Sequence, residues 1–271
     1  MAKKEIISES FLIKERPFYQ PSGNEISIFE KAYSQHLPVS LKGPTGTGKT
    51  RFLEYMAWEL KKPLLTVACH EDLTANDLIG RFLLRGEETI WQDGPLTTGV
   101  KIGAIVYLDE IVEARKDTIA FIHPLTDHRR ILPIDKLGIQ IKAHEDFLVC
   151  VSYNPGYQSL TKDMKPSTKQ RFIGIEFGFP SKVLEEKIIK GETSFDDEAI
   201  IEKMVFLGSK LRTTLGHEHI QEYPSTRLLI YAIKLIKAGM SFDEACRVGI
   251  VNALTDDVEV QNGIMKFVEN L

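Results

Sequence analysis

Apolar runs alternate with stretches of helical spacing through the first two thirds of this 271-residue chain. The runs fall at 39–42, 64–69, 104–108, 147–152 and 173–177, each rich in Val, Ile, Leu, Phe or Tyr. Short runs that are apolar throughout suit strands covered on both faces, and the helical material between them suits parallel crossovers. The pattern therefore predicts an α/β fold, a parallel sheet with helices on both faces. Two stretches break the rhythm. Residues 81–91 read as a β-hairpin turning near Gly86. Residues 129–142 read as a second, with Asp135-Lys136-Leu137-Gly138 as its turn. Phe82, Leu84 and Trp91 on the first are expected to be exposed and to meet a partner. After Pro180 only helical spacing remains. Ser181 is placed to cap a helix ending at Gly191, and Ile200, Ile201, Met204, Val205, Leu207 and Leu211 mark another. Residues 224–238 and 242–254 supply two more. Residues 1–36 read as extended or irregular, because Pro17, Pro21 and Gly23 interrupt any period.

The segment Gly43-Pro44-Thr45-Gly46-Thr47-Gly48-Lys49-Thr50 changes that picture from a fold to a site. Its spacing is that of a phosphate-binding loop, with a short strand before it and helical spacing (Phe52, Leu53, Met56, Ala57, Leu60) after it. Successive backbone N–H groups in such a loop wrap a polyphosphate, and the following helix turns its positive end to the same anion. Lys49 would reach the β- and γ-phosphates of a nucleotide, and the Thr50 hydroxyl would ligate Mg²⁺. Residues 1–180 then form a nucleotide-binding core, and 181–271 a smaller all-α lid.

Two further strand ends carry polar chemistry. Ile105-Val106-Tyr107-Leu108-Asp109-Glu110 ends in paired carboxylates. Hydrolysis of a phosphoanhydride requires a held metal and an oriented water. Asp109 would serve the first through metal-bound water, and Glu110 would accept the proton of the attacking water. Val149-Cys150-Val151-Ser152-Tyr153-Asn154 ends in an amide. Parallel sheets bind ligands at the carboxyl ends of their strands, so Asn154 would lie beside Thr50 and Glu110. It equally suits the first position of a turn with Pro155. Arg171 and Arg227 are the remaining cationic candidates, and by themselves they read as surface charges.

Charge and composition exclude other classes. The net charge of −4 offers no basic footprint for nucleic acid. No apolar run approaches the roughly 20 residues that span a bilayer, so a cytoplasmic protein with no membrane partner is expected. Cys69, Cys150 and Cys246 are isolated in apolar surroundings and read as buried free thiols. His217-Glu218-His219 lacks a third ligand and is not taken as a metal site. Lys61-Lys62 and Arg129-Arg130 read as solvated faces.

Taken together, the phosphate loop, Leu108-Asp109-Glu110, Ser152-Tyr153-Asn154-Pro155-Gly156-Tyr157, the 165–172 segment around Gln170-Arg171-Phe172, and Pro224-Ser225-Thr226-Arg227 resemble the MoxR group of AAA+ ATPases. More narrowly they resemble the CbbQ/NirQ/NorQ family. Thr66-Val67-Ala68-Cys69-His70, Trp91-Gln92-Asp93-Gly94-Pro95-Leu96 and His123-Pro124-Leu125-Thr126-Asp127 are similar to that family's own stretches. The likeness covers roughly 37–257 and leaves the role of 1–36 open. It implies an AAA+ core with two hairpin insertions and a helical lid, assembled into hexameric rings with ATP and Mg²⁺ at subunit interfaces. It casts Asn154 as sensor 1, Arg171 as an arginine finger reaching the neighbouring subunit, and Arg227 as sensor 2. Both hairpins would face the client or the pore. The CbbQ branch implies a remodelling chaperone that activates Rubisco by releasing inhibitory sugar phosphates, together with a von Willebrand A-domain partner. The NorQ and NirQ branches imply instead activation or maturation of nitric oxide reductase or another metalloenzyme complex. A DNA-acting ATPase on the same core would need a basic face, and a non-hydrolytic nucleotide switch would not need Asp109, Glu110, Asn154 and Arg171 together.

Overall fold

The computed structural model describes residues 9–155, 164–214 and 223–271. Nine strands are present among them: β1 (Val39–Lys42), β2 (Leu64–Ala68), β3 (Gly80–Arg85), β4 (Glu88–Asp93), β5 (Ile105–Asp109), β6 (Ile131–Ile134), β7 (Ile139–Lys142), β8 (Leu148–Tyr153) and β9 (Ile173–Glu176). Five of them form one sheet in the order β2-β5-β8-β1-β9, parallel throughout. These are the five apolar runs, each within one residue of its expected bounds. Every residue of β8 is buried, as is all of β5 except Asp109, and this is why neither run alternates.

The sheet is covered on both faces. Val106 and Leu108 share a core with Leu96 and Val100 of helix Pro95–Ile102 on one side. Tyr107, between them in the pleat, reaches Thr50 of helix Lys49–Glu59 on the other. Register brings the carboxyl ends of three strands level: Leu108 stands opposite Val151, and Leu41 opposite Ser152. Asp109, Asn154 and the loop leaving β1 are thereby delivered to one edge.

Both hairpins are present. β3 and β4 pair antiparallel around Gly86, which takes φ +62°, and β6 and β7 pair around Gly138, which takes φ +63°. One expectation on the first hairpin is corrected. Trp91 is half-buried rather than exposed, packed against the core and edge-on to Phe82, with its indole N–H donating to Asp93 Oδ1 at 2.9 Å. Phe82 and Leu84 remain exposed, Leu84 at 75%.

The N-terminal segment is also corrected. Glu25–Ser34 is a helix, with Phe29 and Ala32 buried and Phe29 set edge-on to Phe52. The breakers Pro17, Pro21 and Gly23 all precede it and delimit its start rather than forbid it. Upstream, the Arg16 guanidinium lies over the rings of Tyr55 and Trp58, and the Leu64 N–H donates to Phe11 O at 3.0 Å. Arg130 is likewise no solvated charge. It donates to the carbonyls of His36, His144, Glu145 and Phe147, tying the second hairpin's base to the chain on either side.

The chain divides into two compact units. The first holds the described residues up to Pro17, then Gly23–Gly43 and Lys49–Glu176; the second holds Phe18–Ser22, Pro44–Gly48 and Phe177–Leu271. Helices Lys182–Thr193, Glu198–Thr214, Thr226–Lys237 and Val258–Glu269 build the second unit. With them runs Phe242–Cys246, which continues through one π-helical turn to Leu254. Ile189, Met204, Leu207, Leu229, Ile233, Cys246 and Val251 form its core. Ser181 caps the first of these helices through the Leu184 N–H. That helix does not end at Gly191, which lies inside it against the Phe18 ring; the turn to αL comes at Ser194. The three cysteines are buried free thiols, and burial pushes those of Cys69 and Cys246 up to about 12. No described helix is long and apolar enough to cross a membrane. His217-Glu218-His219 and Gly156-Tyr157 lie outside the described residues.

Candidate active site

The loop after β1 has the conformation its glycines allow. Gly46 and Gly48 take φ +71° and +94°, a region that costs other residues about 1–2 kcal/mol. Thr47 Oγ1 donates to Pro44 O at 2.8 Å, closing the loop on itself. Lys49 opens the following helix, and its ammonium folds back to donate to Gly43 O at 2.8 Å. The lysine is thus tied to the residue at which the chain leaves β1 for the phosphate loop. Within the second unit, Gly46 lies against the start of helix Thr226–Lys237. A Cβ placed on it would stand 2.5 Å from Ser225 Cβ and 3.5 Å from Arg227 Cβ. Arg227 therefore emerges, exposed, beside the loop.

The ends of β5 and β8 meet in a hydrogen-bonded group that also takes in Thr50. Asp109 Oδ1 accepts from the Tyr107 hydroxyl and from the Ser152 hydroxyl, each at 2.5 Å. Thr50 Oγ1 lies 3.5 Å from the Tyr107 hydroxyl. Burial and the Asp109 carboxylate raise the Tyr107 phenol further above its usual range, so it stays protonated and donating. Glu110, exposed, sits in αL with φ 54° and ψ 50°, and its N–H donates to Ser152 Oγ at 2.9 Å. A non-glycine residue held there stores strain of order 1–3 kcal/mol, a feature that gathers at functional sites. Asn154 follows β8 directly, half-buried, with Pro155 after it.

Magnesium prefers oxygen ligands, and the donor set suits it: a hydroxyl at Thr50 and a carboxylate at Asp109, both within 3.5 Å of the Tyr107 hydroxyl. When bound, the ion would supply charge neutralisation to the phosphates.

Arg171 lies elsewhere in the first unit. One third exposed, it stands 3.7 Å from Asp127 Oδ2, which also receives Arg129 at 2.6 Å. The hydrogen bond from Arg129 pulls the Asp127 carboxyl down to about 2. His123, 3.2 Å from Thr168 Oγ1, is held below its usual value by burial and by the Arg171 charge. Arg171 thus pairs with Asp127 and not with the Thr50–Asp109 group.

Two groups went unseen in sequence. The hydroxyls of Tyr107 and Ser152 are one; the only trace they leave is polar atoms inside runs otherwise apolar. The other underlies Arg227. Glu185, buried, accepts both guanidinium NH₂ groups of Arg212 at 2.7 and 2.8 Å and the Thr226 hydroxyl at 2.6 Å. Arg212 Nε also donates to Pro224 O at 2.8 Å. The start of the helix that carries Arg227 is fixed by this buried pair.

A phosphate loop leaving the β1 position of a β2-β5-β8-β1-β9 parallel sheet, with a carboxylate pair closing β5, defines a P-loop ATPase core with a helical unit after it. Residues 38–172 match the AAA domain (dynein-related subfamily), and residues 185–271 match the CbbQ/NirQ/NorQ C-terminal domain. The chain is 51% identical to Protein CbbQ of Hydrogenophilus thermoluteolus, over 98% of each chain. It is 52% identical to Protein NorQ of Paracoccus denitrificans, over 92% of this chain and 91% of that one. It is 49% identical to the denitrification regulatory protein NirQ of Pseudomonas aeruginosa, over 93% and 96%. Among solved structures, a putative ATPase from Cytophaga hutchinsonii aligns at TM-score 0.52 with 17% identity, covering 92% of this chain and 89% of that one, a likeness of fold. The chain belongs to the CbbQ/NirQ/NorQ family of AAA+ ATPases, in the MoxR group.

Proposed function

We propose that this ATPase spends ATP on remodelling a client enzyme, and that the client is Rubisco, freed of inhibitory sugar phosphates with a von Willebrand A-domain partner. The observation that carries the hydrolytic part is the Thr50–Tyr107–Asp109–Ser152–Glu110 group at the end of β5. The likeness to Protein CbbQ across both whole chains supports the client.

In this reading residues 1–180 are the nucleotide-binding core and 181–271 its lid. Residues 43–50 hold the phosphates of ATP, with Lys49 on the β- and γ-phosphates. Thr50 and Asp109 hold Mg²⁺, Asp109 through water. Glu110 takes the proton from the attacking water, and Asn154 orients that water or the γ-phosphate. Arg227 reaches the phosphates from the lid, and Arg171 reaches the neighbouring subunit's site in a hexameric ring. ATP bridging these groups holds one arrangement of core, lid and neighbour. Losing the γ-phosphate contact on hydrolysis shifts the equilibrium, and the hairpins, Leu84 foremost, pass that shift to the client.

Glu110→Gln is expected to bind ATP without turning it over. Expressed in the source cell with its ATP retained, it should hold the client. Rubisco subunits recovered with a von Willebrand A-domain protein, identified by mass spectrometry, would support this reading. A second client has its own observation behind it, the 52% identity to Protein NorQ. Recovery of nitric oxide reductase subunits without Rubisco would establish that alternative.

A further inference from the structure

Tyr107 and Ser152 stand at the centre of the hydrolytic group, although neither is a phosphate, metal or water ligand in the reading above. Both are fully buried or nearly so, Tyr107 at 0% and Ser152 at 0% exposure. Burying a hydroxyl costs about 1–3 kcal/mol unless it is hydrogen-bonded, and β8 is otherwise a run where an apolar side chain would pack at least as well. Here each hydroxyl is used in full. The Ser152 oxygen donates to Asp109 Oδ1 and accepts the Glu110 N–H, so one atom sets the carboxylate of the first acid and the backbone of the second. Tyr107, from the same strand as Asp109, donates to that same carboxylate oxygen and stands against Thr50 Oγ1. Asp109 is thereby oriented from two sides, and Glu110 is retained in a left-handed turn that a glutamate does not choose by itself.

We propose that Ser152 and Tyr107 are positioning residues for phosphoryl transfer. Ser152 fixes the Asp109–Glu110 pair as a unit, and Tyr107 ties that unit to Thr50 at the head of the phosphate-loop helix. The inference rests on Asp109 and Glu110 holding the metal and activating the water. A group displaced by about 1 Å loses on the order of 100-fold in rate, so what fixes this pair bears directly on turnover.

Tyr107→Phe removes one oxygen and no packing, and Ser152→Ala removes the other hydroxyl. Each is expected to lower kcat by about 10- to 100-fold while KM for ATP stays within about twofold, the mark of an interaction used in the transition state. Ser152→Thr, which keeps a hydroxyl, should recover most of the Ser152→Ala loss. A second readout is independent of turnover. In a Glu110→Gln background, binding of N-methylanthraniloyl-ATP is followed as Mg²⁺ is titrated. Tyr107→Phe and Ser152→Ala should each raise the Mg²⁺ requirement several-fold while leaving Mg²⁺-free binding of the analogue unchanged. A merely structural role would lower the thermal midpoint and move neither the Mg²⁺ response nor kcat selectively. If Ser152→Ala does not fold, Tyr107→Phe decides the question. Unchanged kcat and unchanged Mg²⁺ response in Tyr107→Phe, with Glu110→Gln inactive, would overturn this inference alone. Normal turnover by Glu110→Gln would instead overturn the assignment of the site on which it stands.

Discussion

Gly46 and Gly48 meet two different demands that their shared φ sign conceals. An alanine at Gly48, where nothing lies within 4 Å, would bear only the backbone penalty of about 1–2 kcal/mol. An alanine at Gly46 would bear that penalty and also drive its Cβ into Ser225, 2.5 Å away. Binding of a fluorescent ATP analogue should therefore weaken by about tenfold in Gly48→Ala, and by considerably more in Gly46→Ala. Equal losses in the two variants would mean that the approach of Ser225 does not matter to nucleotide binding.

The helices of the second unit owe their placement to side chains that sequence patterning treats as indifferent. Gly191 lets helix Lys182–Thr193 accept the Phe18 ring, where an added Cβ would come 2.1 Å from the ring. Overpacking of this kind costs about 1–3 kcal/mol, so Gly191→Ala should lower the urea midpoint without changing the slope. The buried Glu185–Arg212 pair behaves differently. Arg212→Met would strand a buried carboxylate, at about 3–5 kcal/mol, while replacing both partners with apolar residues should recover much of that. If the pair has a role beyond folding, the doubly substituted protein will be stable yet impaired in ATP turnover, because Thr226, beside Arg227, loses its anchor on Glu185. A stable double variant with normal turnover would make the pair a folding device only.

For the assembled molecule, the proposal that Arg171 completes a neighbour's site has a test of its own. Arg171→Ala should retain nucleotide binding and lose turnover, an arginine finger contributing about 10³-fold or more. Glu110→Gln should be inactive for a different reason. Mixing the two inactive proteins under conditions that exchange subunits should restore activity. In about one interface in four an intact Glu110 site then faces an intact Arg171, if equal amounts assemble at random. No recovery in demonstrably mixed rings would move Arg171 out of a role in trans. Chelation of Mg²⁺ should abolish turnover in every combination.

The fold was legible in the chain because both of its signals are local. Runs buried on two faces are apolar residue after residue, as in β5 and β8, and loop glycines at Gly46 and Gly48 mark backbone that other residues avoid. Hairpin turns at Gly86 and Gly138 were readable for the same reason. The phosphate loop and the Asp109–Glu110 pair were legible as well, since their chemistry needs neighbours only a few positions apart. The helix Glu25–Ser34 was hidden by breakers that lie just outside it, and the burial of Trp91 depended on which face of the hairpin met the core. Local pattern was silent wherever two distant segments had to meet. Residues 42 and 43 positions apart join as Glu110, Ser152 and Asp109, and Arg212 crosses 27 positions to Glu185. A hydroxyl inside an apolar run looks like noise until the register of β5 against β8 brings it to a carboxylate. Sequence alone therefore determined the phosphate loop, the acidic pair and where along the chain the sheet strands fall. Tertiary structure decided what holds those acids in place, because strand pairing brings together atoms that the chain keeps far apart.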